Sequence, residues 1–352
     1  MNSGKASGRP TILDVAKLAG VSIGTVSNVL NAVGNVSAGR AAQVNAAMEQ
    51  LGYLPNGVAQ SLRRSASRVV GLCAPITSSA YFAALLEIFE ELAAGEGYEL
   101  MQVLSHGDPA LELRRVRALL SRSVDGLILI PTHDSGPTLD LLAERATPTV
   151  LVDRVTGDRR FDSVAIDDRK AMFEATAHLI ALGHRNLLYL IRDHRLVTTR
   201  QRIEGFKAAA AASPARIIAS VCQRDAGDAA FAAQVAAALH DPQPPTAIIA
   251  SNSAIALSVI EILRALGVRW PEDVSVLAFD EPVWASIMSP PLAVLRHPTR
   301  AIAEAAWACL MRRVNAPAVR RRTIVLEARF IAAASVAAPT GRNRRSPPRP
   351  RR

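Results

Sequence analysis

The chain has 352 residues, 49% of them apolar, a formal net charge of +10 and three cysteines. That is too long for one small domain and ample for a large core. No apolar run reaches the ~18–20 residues of a membrane span, and the polar first ten residues carry no hydrophobic leader. The distant, odd-numbered Cys73, Cys222 and Cys309 argue against a disulfide framework and for a reducing compartment. A cytoplasmic protein is expected, and its basic charge is unevenly placed. Residues 1–68 hold seven Lys/Arg against Asp14 and Glu49, and residues 339–352 hold six arginines and no acid, so the body is nearly neutral. A basic head on a neutral body fits a nucleic-acid-binding module joined to a second function.

Thr11 stands before an apolar-periodic run as an N-cap should. Ile12, Val15, Ala16 and Ala19 recur at helical spacing, and Gly20 closes the run. Ser22 caps the next helix, whose buried stripe is Val26, Val29 and Leu30. Ile23, Gly24, Thr25, Ser27 and Asn28 are left facing outward. A third helix, about Ser37 to Leu51, brings Val44, Ala47, Met48 and Leu51 to a three-helix core. This pattern fits a helix-turn-helix with a groove-reading second helix. Periodicity alone also fits an ordinary helical hairpin.

The segments TILDVAKLAGVS, TVSNVLN, LGYLPN and VAQSL then follow in order, and the whole run Thr11–Leu62 closely resembles the head of the lactose-repressor (LacI/GalR-type) family. The resemblance implies a DNA-binding head over 1–54. Ile23, Gly24 and Asn28 would take the base-reading positions, and Ser22, Thr25 and Ser27 would hold phosphates; Asn31 and Asn56 are further DNA-binding candidates. Asn can read adenine bidentately or contact phosphate, Ile23 can only touch a thymine methyl, and Gly24 offers no side chain. Residues 55–68 would form a hinge helix and linker, with Leu62 wedged into the minor groove. So short a helix needs DNA and a partner hinge to fold.

The body alternates strand and helix. Strands are predicted at Val69–Pro75, Glu99–Leu104, Gly126–Pro131 and Thr149–Asp153, with helices at Phe82–Gly95, Leu111–Ser121 and Thr138–Arg145 between them. The pattern restarts with strands at Asn186–Ile191, Ile217–Val221, Ala247–Ala250 and Val274–Phe279. Its helices are Met172–Leu182, Arg200–Ala212, Phe231–Leu239 and Ser253–Leu266. Near-continuous apolar strands alternating with helices indicate parallel sheets covered by helices. The expected fold is therefore an all-α helix-turn-helix head plus an α/β, two-lobed, periplasmic-binding-protein-like domain over 69–338. Its lobes are expected at about 69–165 with 297–324, and 166–294 with 325–338. Residues 339–352 form a basic tail expected to be disordered.

Ligands of open parallel sheets sit outside the carboxyl ends of the strands, which places one between the lobes. Carried over motif by motif, the family resemblance implies that Asp153 (LVDR), Arg202 (R-x-x-G-F), Asn252 (ASN) and Asp280 (SVLAFDE) hydrogen-bond a small effector, with Tyr81 and Phe82 lining the first lobe's side. Each polar residue has an alternative reading as a helix cap or structural ion pair. Trp284 either walls the cleft or packs in the core. His297, where the chain crosses back between lobes, is favoured as a hinge residue over a pocket edge. The resemblance breaks at Ser253, where the family usually has Asp, and at Ile76-Thr77-Ser78-Ser79-Ala80. The effector class therefore stays open: a sugar, sugar acid, sugar phosphate or another small polar metabolite.

The function implied is a sequence-specific transcriptional regulator, a repressor in the commoner case. A homodimer would hold two heads on operator DNA, and its affinity would change when effector binds, as inducer or corepressor. No cofactor, metal or membrane is expected. The alternative is a cytoplasmic sugar-binding protein or sugar-processing enzyme on the same two lobes. No H-E-x-x-H, G-x-S-x-G, P-loop or clustered Cys/His supports an enzyme.

Overall fold

A computed structural model describes residues 10–31, 36–53, 67–76, 79–224 and 227–340, without the side chain of Asn31. The expected hinge helix, with Asn56 and Leu62, and the tail beyond 340 lie outside the described residues. The chain divides into two compact units, residues 1–68 and 69–352.

The head contains α1 (Ile12–Ala19), α2 (Ile23–Asn31) and α3 (Ala38–Leu51). Thr11 and Asp14 form a reciprocal capping box at α1: Asp14 N–H donates to Thr11 Oγ1, and Thr11 N–H donates to Asp14 Oδ2 at 2.8 Å. Gly20, at φ 65°, takes the left-handed turn that ends α1. The α2 cap is Ser22, whose Oγ accepts from Thr25 N–H at 3.1 Å. Val15, Ala16, Val26, Val44 and Ala47 meet as the buried core.

The body begins with β1 (Val69–Ala74), α4 (Ala80–Gly95), β2 (Glu99–Leu104), α5 (Pro109–Leu120), β3 (Gly126–Leu129), α6 (Gly136–Glu144), β4 (Thr149–Val152) and β5 (Asp162–Ile166). It continues through α7 (Asp168–Ala181), β6 (Asn186–Ile191), α8 (Val197–Ala212), β7 (Ile218–Gln223), α9 (Gly227–Leu239), β8 (Ala247–Ala250), α10 (Ser253–Leu266) and β9 (Ser275–Phe279). The chain then forms β10 (Ala293–Arg296), α11 (Thr299–Asn315), β11 (Thr323–Leu326) and β12 (Arg329–Ile331).

Two six-stranded sheets result, in orders β11-β5-β4-β3-β1-β2 and β12-β10-β9-β8-β6-β7. Every neighbouring pair is parallel except β12, which runs antiparallel to β10. The two orders superpose strand for strand, so β4 of the first lobe corresponds to β9 of the second. The chain passes between lobes three times: after β5, after β10 and after β11. The crossings move the expected lobe boundaries slightly. Ile166 pairs with Leu326, and Ala165 with Val325, so residues 166 and 325–326 belong to the first sheet rather than the second. Strand β7 also begins one residue later than predicted and runs on to Gln223.

Helix α11 returns from the second sheet to cover the first. Its Leu310 fills the space a Cβ on Gly126 would need, 2.9 Å away. Beneath the same helix, fully buried Asp162 accepts from Arg313 Nη2 at 2.6 Å, Arg312 Nη2 at 3.0 Å and Arg322 N–H at 2.7 Å. That carboxylate ties β5, α11 and the approach to β11 together, and its partners satisfy a charge that would otherwise be costly to bury.

Candidate functional sites

In the head, α2 turns Ser22, Ile23, Gly24 and Asn28 to solvent, and Thr25 and Ser27 are half-buried. Ile23 is 46% exposed, unusual for an isoleucine in so small a core. The Ser22 hydroxyl lies 3.0 Å from the Thr25 hydroxyl besides capping the helix, so part of its hydrogen-bonding capacity serves α2 itself. The outward face of α2 carries no charged side chain.

Between the two sheets of the body lies a cavity of about 670 Å³. Its polar lining comes largely from the carboxyl ends of strands in both sheets. The first lobe supplies His106 after β2, His133 after β3, and Asp153 and Arg154 after β4. The second supplies Arg192–Leu196 after β6, Gln223 and Arg224 at the end of β7, Ser251 and Asn252 after β8, Asp280 after β9 and His297 after β10. Tyr81 and Phe82, in the first turn of α4, close one side.

Arg202 sits in the second turn of α8, 8% exposed. Its Nε donates to Asp168 Oδ1 at 2.6 Å, its Nη1 donates to the Ser251 carbonyl at 3.0 Å, and its guanidinium lies 3.5 Å from the Phe279 ring centre. Gly205, one turn on, makes this possible. A Cβ there would stand 2.2 Å from the Arg169 carbonyl oxygen, so only glycine lets α8 cross the α7 backbone. Burial pushes the Asp168 carboxyl up to about 6, against the opposing pull of Arg202. Burial also works against the Arg202 charge, but Asp168, with Tyr189, Asp280 and Asp153, holds it above the ordinary guanidinium range.

Asp153 and Asp280 occupy equivalent strand ends in the two lobes, and both adopt left-handed backbone, at φ 65° and 69°. Such geometry costs a non-glycine residue on the order of 1–3 kcal/mol and gathers at functional positions. Each carboxylate is 8% exposed. Asp280 Oδ1 is 3.0 Å from His297 Nε2, and Asp153 is 3.9 Å from Arg154 Nε. The His297 ring stacks on Tyr81 at 4.2 Å. Burial, then the Asp153 and Asp280 charges, raise the Tyr81 hydroxyl well above its usual range, so it remains a donor. Among the described residues, His297 Nδ1 and Ser251 Oγ are buried without a hydrogen-bond partner, and the Tyr81 hydroxyl is buried beside Asp153. Buried polar atoms are rarely left without a partner, and both of these lie on residues that line the cavity.

Of the residues predicted to meet the effector, Tyr81, Phe82, Asp153, Arg202, Asn252, Asp280 and His297 all line the cavity. Asn252 also caps α10, its Oδ1 accepting from Ile255 N–H at 2.9 Å. His297 combines the two roles the sequence left in competition, since it lies at a lobe crossing and on the cavity wall. Trp284 does not line the cavity. It is instead partly buried against the second lobe's other hydrophobic cluster, to which Ala285 and Leu292 belong. Sequence reasoning missed Arg154, Arg192, Arg195, Arg224, His106, His133 and His194. Arg154 and Arg192 directly follow a predicted apolar strand and the others lie two to four residues beyond one, so the strand-end rule applied to every strand and its following loop would have found them.

The model of the periplasmic binding protein-like domain matches residues 176–336, and that of the lacI family of bacterial regulatory proteins matches residues 11–56. The transcriptional regulator DegA of Bacillus subtilis is 32% identical over 83% of this chain and 88% of its own length. The chain belongs to the lacI family. Among solved structures, the lac repressor dimer bound to operator and an anti-inducer is 25% identical, with a TM-score of 0.83 over 94% of this chain and all of that one. The regulator CelR in complex with cellobiose is 26% identical, with a TM-score of 0.69 over 93% of this chain and all of that one. This lacI-family member is thus a DNA-binding transcriptional regulator and not an enzyme. Its α1–α2 pair is the helix-turn-helix, and its two sheets are the periplasmic-binding-protein-like module.

Proposed function

We propose that this regulator acts as a homodimeric repressor whose grip on operator DNA is set by a small polar metabolite in the inter-lobe cavity. The observation that carries the reading is the pair Asp153 and Asp280. Strained backbone at equivalent strand ends brings one carboxylate from each lobe to the same cavity, beside two buried polar atoms with no partner among the described residues. Paired carboxylates and a guanidinium suit hydroxyl-rich ligands, which they hold bidentately. CelR holds cellobiose on the same fold, and the lac repressor binds its operator as a dimer. A ligand touching both lobes favours one inter-lobe arrangement. Operator affinity then changes by the difference in ligand affinity between the two states.

In the head, Ile23, Gly24 and Asn28 are the base-facing residues, with Ser22, Thr25 and Ser27 on phosphates, Asn31 and Asn56 as further DNA contacts and Leu62 as the wedge. As a regulator of this family the protein works in the cytoplasm, in association with the nucleoid. The test is a bandshift on the native upstream region with a panel of candidate metabolites. Asp280→Asn is expected to retain operator binding and to lose the metabolite response. No sequence-specific shift under any condition, or an undiminished response in Asp280→Asn, refutes the proposal.

A further inference from the structure

The cavity is more basic than a neutral sugar requires. Its wall carries five arginines against three aspartates, and each aspartate already has a side-chain partner. Asp153 lies by Arg154, Asp193 chelates Arg195 through both carboxylate oxygens, and Asp280 meets His297. Arg202 is held by Asp168. Arg192 is different: it directly follows β6, lines the cavity, and makes no ion pair or hydrogen bond among the described residues. Arg154 feels the crowding. Burial first, and then the neighbouring Arg202 and Arg192 charges, lower its pKa despite Asp153.

Backbone donors add to this field. Helix α8, 16 residues long, starts at the cavity with no side-chain cap, and Leu196, Thr198 and Thr199 of its first turn form part of the wall. Uncapped first-turn N–H groups and the positive end of the helix dipole form an anion-binding arrangement. Independently of that terminus, Ser251 Oγ is buried in the same wall, 5% of the residue exposed, without a partner.

Resting on the reading of this cavity as the effector site, the geometry points to an anionic effector. It is a hydroxylated metabolite whose carboxylate or phosphate ester sits between Arg192 and the start of α8, while its hydroxyls face Asp153 and Asp280. Asp153 and Asp280 reject a second negative charge at the hydroxyl end, so the ligand is polar in one direction and binds one way round.

The experiment is calorimetric titration of the full-length protein at fixed ionic strength. The probes are inorganic phosphate and two matched sets: glucose, gluconate and glucose 6-phosphate, and ribose, ribonate and ribose 5-phosphate. At least one anion is expected to bind about tenfold or more tighter than its neutral parent. Carboxylate or phosphate is identified by which arm does so. Arg192 is exposed, so Arg192→Gln should leave the melting temperature unchanged and reduce the anion preference by about tenfold. Three results overturn the proposal: a neutral parent that binds as tightly as its anions, an anion preference that survives in Arg192→Gln, or no saturable binding by any anion. Asp280→Asn separates this failure from failure of the site itself. Neutral-sugar binding abolished by Asp280→Asn keeps the cavity and rejects the anion. Binding indifferent to both variants rejects the cavity.

Discussion

Gly205→Ala is the most exacting test of how this cavity is built. The new methyl carbon would lie 2.2 Å from the Arg169 carbonyl oxygen and 3.0 Å from the Phe173 nitrogen, both backbone atoms of α7 that no rotamer change can move. Reaching ordinary contact requires the two helices to part by about 1 Å. Overpacking of this kind costs about 1–3 kcal/mol. The separation also stretches the 2.6 Å Arg202–Asp168 bond beyond hydrogen-bond range, and breaking a buried pair is itself costly. Alanine's better helix propensity returns only about 0.5–1 kcal/mol. The net loss is expected at about 2–4 kcal/mol, a fall of roughly 5–15 °C in melting temperature for a domain of this size. Calorimetry of the full chain should show it, together with weaker metabolite binding. Gly95→Ala is the control. It is also a helical glycine, but nothing lies within 4 Å of its added carbon, so it should be neutral or slightly stabilising. Equal melting temperatures for Gly205→Ala and wild type would refute the argument that glycine sets the α7–α8 crossing.

Three further predictions concern other parts of the chain. Ser22→Ala removes the acceptor for Thr25 N–H and should cost the head about 1 kcal/mol; unchanged hydrogen-exchange protection at the start of α2 would reject that cap. Because the Asp168 pKa is raised to about 6 from 3.8, its contribution to stability is fullest at low pH and is lost as pH rises through about 6, by up to about 3 kcal/mol. Denaturation midpoints of Asp168→Asn should therefore lack that fall between pH 4 and 6, and a variant that retains it shows another group to be responsible. Leu62→Ala should weaken operator binding by about tenfold if the residue pries open a base step, and an unaltered bandshift removes the wedge assignment.

Much of this architecture is legible because local signals agree with the fold. Thr11, Gly20 and Ser22 are caps whose chemistry is independent of context, and the long apolar runs at Val69, Gly126 and Asn186 are buried on both faces as their composition demands. Strands β5, β10, β11 and β12 were not predicted as strands. They have only three to five residues each, and β11 alternates exposed with half-buried positions at a sheet edge. The edge strands β11 and β12 have too little periodicity to read and depend on their neighbours for shape, whereas β5 and β10 are short strands inside their sheets. The Arg202–Asp168 pair was hidden for a related reason, since its partners lie 34 positions apart and meet only because Gly205 lets two helices touch. Trp284 shows the opposite hazard. A large aromatic four residues after a cavity aspartate invites a role in the cavity, yet it packs on a core cluster instead.

The three crossings between sheets have a consequence for how the chain can be divided. Neither lobe is a continuous piece of sequence: the first needs α11 and β11 from far downstream, and the second is finished only by β12, near the end of the described chain. A fragment ending before residue 299 would leave the β3–β5 face bare, Asp162 stripped of its arginines, and β10 without its antiparallel neighbour. Premature stop codons even late in the gene should therefore yield protein that proteases clear, rather than a shortened repressor that still occupies DNA unresponsively. Single-cut cloning of either lobe should fail, and insertions or circular permutations that preserve all three passages should be tolerated far better.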